Sequence, residues 1–206
     1  MKDTIPLNGM ASIGTLFVFY KILNQINMRK IIEKKHLQKA MDYDSYRKLV
    51  DELLQEGKTT GPKQSEQLTE YATKNVATMQ KIENTFQVDP EIENLINSVT
   101  QPQTWIVLTE GWCKDAAHTV PVLNALAKLN SNIELKLLLR DENLDLMDQY
   151  LTNGKNRSIP KLIAVNPEIM EEIFHWGPSQ VIQQSSPEEK TIITQKEICD
   201  LVAQPV

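Results

Sequence analysis

Of the two cysteines in this 206-residue chain, only one stands where a thiol could do chemistry. Cys113 follows "TWIVLTEGW" and precedes "KDAAHTVPVLNALAKL". The first stretch is short, β-branched and apolar, and reads as a buried strand ending at Gly111. In the second, Ala116, Val120, Val122, Leu123, Leu126 and Leu129 recur at helical spacing. The sulfur therefore sits where a strand gives way to a helix, and the unpaired amides of a helix start favour an anion. Such positions lower a cysteine pKa from about 8.5 into the range of roughly 3.5–7.5, so Cys113 is the candidate nucleophile. Lys114 adds a positive neighbour. Asp115 opposes it unless its carboxylate turns onto the helix amides. These two are the candidate thiolate-stabilising residues, and Trp112 flanks the sulfur.

The elements that must hold this junction follow from periodicity. "NIELKLLLR" reads as a second strand, so strand, helix and strand form a parallel, right-handed βαβ unit. "DENLDLMDQYLTNG" predicts a helix stopping near Gly154, and "SIPKLIAVNPEIMEEIFHW" two strands joined at Asn166-Pro167. The tail is polar until "TQKEICDLVAQ", a terminal helix on which Cys199 is expected to be buried and silent. Residues 28 to about 98 read as helical throughout. Asp44 and Ser45 are candidate caps of one helix and Gly57 its stop; Leu68, Tyr71, Val76, Met79, Ile82 and Phe86 mark the packed face of another. A short helix follows with Asp89 as cap and Pro90 in its first turn. Three regions result: an apolar or weakly ordered extension over 1–27, a helical region over 28–100, and a domain over 101–206. The order β-α-β-α-β-β-α puts the last of these in the α/β class, with a central mixed sheet.

Composition closes off several alternatives. A net charge of −5 and a pI near 5.3 argue against a nucleic-acid partner. Two distant cysteines do not make a disulfide-stapled secreted fold or a thiolate zinc site, and the three histidines show no ligand spacing, so no metal and no cofactor are expected. Thr4 to Tyr20 is uncharged but interrupted by Pro6, Gly9 and Gly14, and short of the ~20 apolar residues a membrane span needs. A cytoplasmic protein without membrane attachment is the expectation.

The stretch Trp112-Cys113-Lys114-Asp115-Ala116 resembles the W-C-x-x-C active site of the thioredoxin family. Pro121 falls eight residues after the thiol, where thioredoxins kink this helix. Ile159-Pro160 is similar to the cis-proline that faces the active-site sulfur in that family. The wording "EGWCKDA…LLRDEN…LTNG…IPKL…WGP" further resembles a bacterial thioredoxin-like subgroup with G-W-C-G-D-A and a helical N-terminal extension. The resemblance implies a thioredoxin-like fold and a substrate groove shaped by Ile159 and Pro160, with Trp112, Trp176 and Gly177 on its borders. It also exposes departures. Ala116 replaces the resolving thiol, Val107 stands where thioredoxins bury an acid, and Lys114 replaces the subgroup's glycine.

A monothiol oxidoreductase is the leading expectation, forming mixed disulfides at Cys113 with a thiol- or disulfide-containing protein or small thiol, because attack needs only one thiolate. The alternative is a non-catalytic binding module that keeps the groove without the redox step. Cluster binding by a dimer is a third reading that rests on fold analogy alone. His118, five residues beyond Cys113, is expected at the surface, and Glu110 is expected to be solvated.

Overall fold

The computed structural model describes residues 32–204; the expectations for residues 1–27 lie outside them. Strand β1, Gln103–Thr109, is buried along its whole length. It sits inside a four-stranded sheet of order β2-β1-β3-β4, with β2 at Ile133–Leu139, β3 at Lys161–Val165 and β4 at Glu172–Trp176. β1 pairs parallel with β2 and antiparallel with β3, which pairs antiparallel with β4. A central strand covered on both faces must be apolar at every position, hence the unbroken run "WIVL".

The side-chain period of two divides the core. Trp105, Val107, Leu137, Leu162 and Ala164 point to one face. Ile106, Leu108, Leu138, Ile163 and Val165 point to the other. The first face is covered by the helix after Cys113 (α5, Lys114–Lys128) and by the helices that pack on it. These are α2 (Tyr43–Gln55), α3 (Glu66–Thr85), α4 (Pro90–Asn97) and the terminal α8 (Pro187–Val202). The opposite core is filled by Leu146 and Met147 of α6 (Leu144–Met147), by Tyr150, and by Ile32 and Leu37 at α1 (Lys34–Lys39). α7, Gln180–Gln184, leads into α8. Residues from Ile32 onward form one compact unit, because α3 lies directly on α5.

Several boundaries differ from the sequence reading. The helix expected to run on from Met28 is interrupted: Ala40 is extended, and Met41 exchanges two backbone bonds with Leu137, at 2.9 and 2.7 Å. A charge pattern alone cannot register that the chain is needed as a strand there. The cap of α2 is Asp42, whose side chain accepts from the Ser45 amide at 2.7 Å, one residue pair earlier than expected. The helix expected after Asp141 is a 3-10 turn, Arg140–Glu142, followed by the single turn of α6. The terminal helix begins seven residues before the expected Thr194, at Pro187, capped by Ser186 in a box with Glu189. Tyr71, expected on a packed face, is 44% exposed; α3 buries Ala72, Asn75, Met79 and Ile82 instead.

The Met41 bridge covers the outer edge of β2, an edge that would otherwise offer unpaired backbone groups to another chain. Met41→Pro removes one of its two bonds and orphans the buried Leu137 carbonyl. A loss of about 1–3 kcal/mol in urea unfolding is expected, with increased binding of an amyloid-reporting dye on mild heating.

Candidate functional site

Glu110 directly follows β1, between Thr109 and Gly111, and it is fully buried. One carboxyl oxygen accepts a short hydrogen bond from the Thr60 hydroxyl; the other accepts from the Asp141 amide at 2.9 Å. The same Thr60 oxygen accepts from the Gly111 amide at 2.8 Å. Asn75 of α3 donates to the Gly111 carbonyl at 2.9 Å, and a Cβ on Gly111 would lie 3.3 Å from Val50 of α2. Both backbone groups of the residue two before Cys113 are thus held by the helical region. The clamp also needs Gly61: its φ of +84° suits glycine, and a side chain there would meet the Asp141 carboxylate at 2.9 Å.

These facts correct the expectation of a solvated Glu110. Burial raises its pKa, opposed by the bonds from Thr60 and the Asp141 amide. A weak sequence signal was present, a glutamate closing an otherwise apolar strand. Thr60 had none, since one hydroxyl in the break "TTGPKQ" looks like any other.

Cys113 is the N-cap of α5, with an extended backbone, and its amide donates to the Glu110 carbonyl at 3.1 Å. The residue is half-buried and packs against both cores. Its thiol donates to the carbonyl oxygen of Ile159 at 3.4 Å, and the Ile159–Pro160 peptide is cis. Ile159 thus meets the sulfur through its backbone; its side chain is buried in the core under the sheet, and Pro160 is buried beside it.

The electrostatics overturn the expected low pKa. Burial pushes the Cys113 thiol up to about 11, outweighing the backbone amides of Ala116 and Asp115 that favour the anion. The helix start contributes as the sequence implied, but desolvation is larger. The candidate stabilisers are corrected as well. The Asp115 carboxylate raises the thiol pKa, and it is engaged by Lys190 of α8 at 2.6 Å. The nearby cation acting on the sulfur is Arg140, while Lys114 is exposed. Arg140 stacks over the half-buried Trp112, 4.9 Å from the ring centroid, and pairs with Asp141 at 2.7 Å. Arg140 is far from Cys113 in sequence, so spacing could not have found it.

Trp176 does not border a groove. It is 5% exposed, packs in the larger core, and donates from its indole to Glu197 at 2.7 Å. Gly177 lies under the Lys161 side chain, which would sit 2.6 Å from a Cβ there. His118 is likewise not at the surface. It is 4% exposed, Nδ1 donates to the Lys114 carbonyl at 2.8 Å, and burial lowers its pKa. Val107 is buried in β1, and Ala116 in the first turns of α5. Cys199 is a half-buried free thiol on α8, its pKa raised by burial. Among the described residues, no group of three or more His, Cys, Asp or Glu side chains could hold a metal ion, and no helix is long and apolar enough to cross a membrane.

A β-α-β-β sheet with a cysteine at the first helix start, facing the carbonyl before a cis-proline, defines a protein of thioredoxin-like architecture. The family model described as thioredoxin matches residues 61–189, and the chain belongs to that family. The match begins at Gly61, inside the clamp. The crystal structure of an HIV 4E10 epitope-scaffold is similar over 84% of this chain and 96% of that one, at 15% identity and a TM-score of 0.57, which speaks to the fold alone. A Pseudomonas aeruginosa protein of unknown function aligns over 65% of this chain and 82% of that one, at 17% identity and a TM-score of 0.48. No curated protein matches the chain.

Two predictions follow from the clamp. Thr60→Val keeps the shape but strips the Gly111 amide and the Glu110 carboxyl of a partner, and unfolding is expected to become about 1–3 kcal/mol easier. Glu110 binds its proton more tightly in the folded chain than in the unfolded one. The stabilisation it contributes is therefore full below its unfolded pKa and lost as pH rises through the folded value. The stability difference between wild type and Glu110→Gln, followed by denaturant unfolding from pH 4 to 8, is expected to move against the wild type as pH rises.

Proposed function

We propose that the chain is a monothiol thioredoxin-fold protein that captures disulfides at Cys113. The observation that carries this reading is the thiol held 3.4 Å from the Ile159 carbonyl at the cis-proline, with the Ala116 and Asp115 amides and Arg140 in place to receive negative charge. The step is an exchange. Cys113–SH and R–S–S–R′ give Cys113–S–S–R and R′–SH, the thiol proton passing to the departing sulfur. Ala116 offers no second sulfur, so release requires a thiol from solution, as a reducing cytoplasm would supply.

A pKa near 11 makes Cys113 a shielded nucleophile. At pH 7 the thiolate is scarcer than for a free cysteine by about two orders of magnitude, partly offset by the greater nucleophilicity of a more basic sulfur. The neutral-pH rate is expected to fall roughly tenfold below that of an unhindered thiol.

A second reading, a binding module without redox chemistry, is favoured by that same burial of the sulfur. Alkylation and mixed-disulfide formation followed by intact mass from pH 7 to 10 separate the two. In a Cys199→Ser background, which removes the other free thiol, exchange predicts a rate climbing about tenfold per pH unit with no plateau below pH 10, and no adduct once Cys113→Ser is added. Absence of any mixed disulfide at pH 10, in a protein whose cellular partners are retained by Cys113→Ser, would select the binding module.

A further inference from the structure

The wall of α3 creates a cavity of about 680 Å³ beside Cys113. That volume lies within the roughly 300–1,000 Å³ typical of small-molecule sites. Two aromatic rings line it, Trp112 from the cysteine loop and Tyr71 from α3, with Leu68 between the turns of α3. Tyr71 is one of the few large apolar side chains left exposed among the described residues, and it is exposed on this wall. A water-facing tyrosine and a half-buried tryptophan make a largely apolar slot with Cys113 in its lining.

The charge of the slot is set by what its ionisable groups are already bound to. Asp115 is committed to Lys190, and Lys74, at the outer edge, to Glu70 at 2.6 Å. Burial, and after it the nearby Lys190 and Lys114, lower the pKa of His118 against the opposing bond to the Lys114 carbonyl. Lys114 stands exposed at the rim. The cavity thus offers an apolar interior, the reactive residue Cys113 in its lining and a positive rim. It is closed on one side by a helix, which suits a compact molecule better than an extended polypeptide.

We propose that this cavity binds a low-molecular-weight disulfide bearing a carboxylate, its apolar part between Tyr71 and Trp112, its carboxylate toward Lys114 and one sulfur against Cys113. This rests on the exchange reading above and names its substrate class. The reaction is the same balanced exchange, Cys113 taking one half of the molecule and the other half leaving as a thiol.

Three reagents of nearly equal size test it: 3,3′-dithiodipropionate (dianionic), 2-hydroxyethyl disulfide (neutral) and cystamine (dicationic). Second-order rates of mixed-disulfide formation are measured on the full chain carrying Cys199→Ser, which leaves Cys113 as its one thiol, at pH 7.5, where both cystamine amines are protonated; dividing them by the rates of the same reagents with 2-mercaptoethanol removes intrinsic reactivity. The normalised rate of the dianion is expected to exceed that of the dication by about tenfold, the size of one or two partly screened charge contacts. Lys114→Glu is expected to abolish or invert that order. Tyr71→Ala is expected to slow all three several-fold while leaving the rate with insulin, a protein disulfide, unchanged. Equal normalised rates for the three reagents, or rates untouched by Tyr71→Ala, would overturn the proposal while leaving exchange at Cys113 standing. So would an equal loss with insulin, which would make the cavity a protein-docking surface. No adduct with any reagent would remove the exchange reading and this one together.

Discussion

Everything near the sulfur depends on one hydroxyl. Thr60 donates a hydrogen bond to the Glu110 carboxyl and accepts one from the Gly111 amide, so a loop between two helices of the N-terminal region fixes the turn that presents Cys113. A buried carboxyl and a buried amide both need partners, and leaving either unmet would cost more than most single contacts in the fold supply. The second oxygen of Glu110 reaches the Asp141 amide, and Asp141 orients Arg140 over Trp112. A single carboxyl therefore ties together the loop before the thiol, the turn after β2 and the aromatic lid beside the sulfur.

The second constraint is competition at the sulfur itself. Helix amides and Arg140 favour the anion; burial against both cores and the Asp115 carboxylate oppose it, and burial is larger. The same residue position that gives an activated thiol in an open site gives a guarded one here. Displacing the groups packed around the thiol would shift that balance back toward the anion.

The sheet was legible because its strands are buried on both faces: "TWIVLT", "IELKLLL" and "KLIAV" carry that burial in their composition. The junction at Cys113 was legible for a similar local reason, a strand, a cysteine and a helix in unbroken succession; the facing of the thiol and Ile159-Pro160 was implied only by the resemblance to the thioredoxin family. What escaped is what depends on segments meeting in three dimensions. Met41 has no strand signal of its own and becomes one only because Leu137 needs a partner. Trp176 could have flanked a groove, but Glu197, supplied by α8, draws its indole inward. His118 and Glu110 have polar side chains whose burial is decided by α3 and by the Thr59–Gly61 loop, neither of which is adjacent in sequence. Lys114 and Asp115 are the charged residues nearest the thiol along the chain, yet the influential cation comes from residue 140.

Gly61 carries a consequence for modularity. Its bare α-carbon lets the loop lie against the Asp141 carboxylate, a closeness no other residue permits without moving one side. The helices before residue 100 are therefore grafted into the thioredoxin frame at atomic range. Cutting the chain to the minimal family fold would hand the Gly111 amide and the Glu110 carboxyl to water. The transplantable unit, in any chimera or fragment, begins upstream of the sheet.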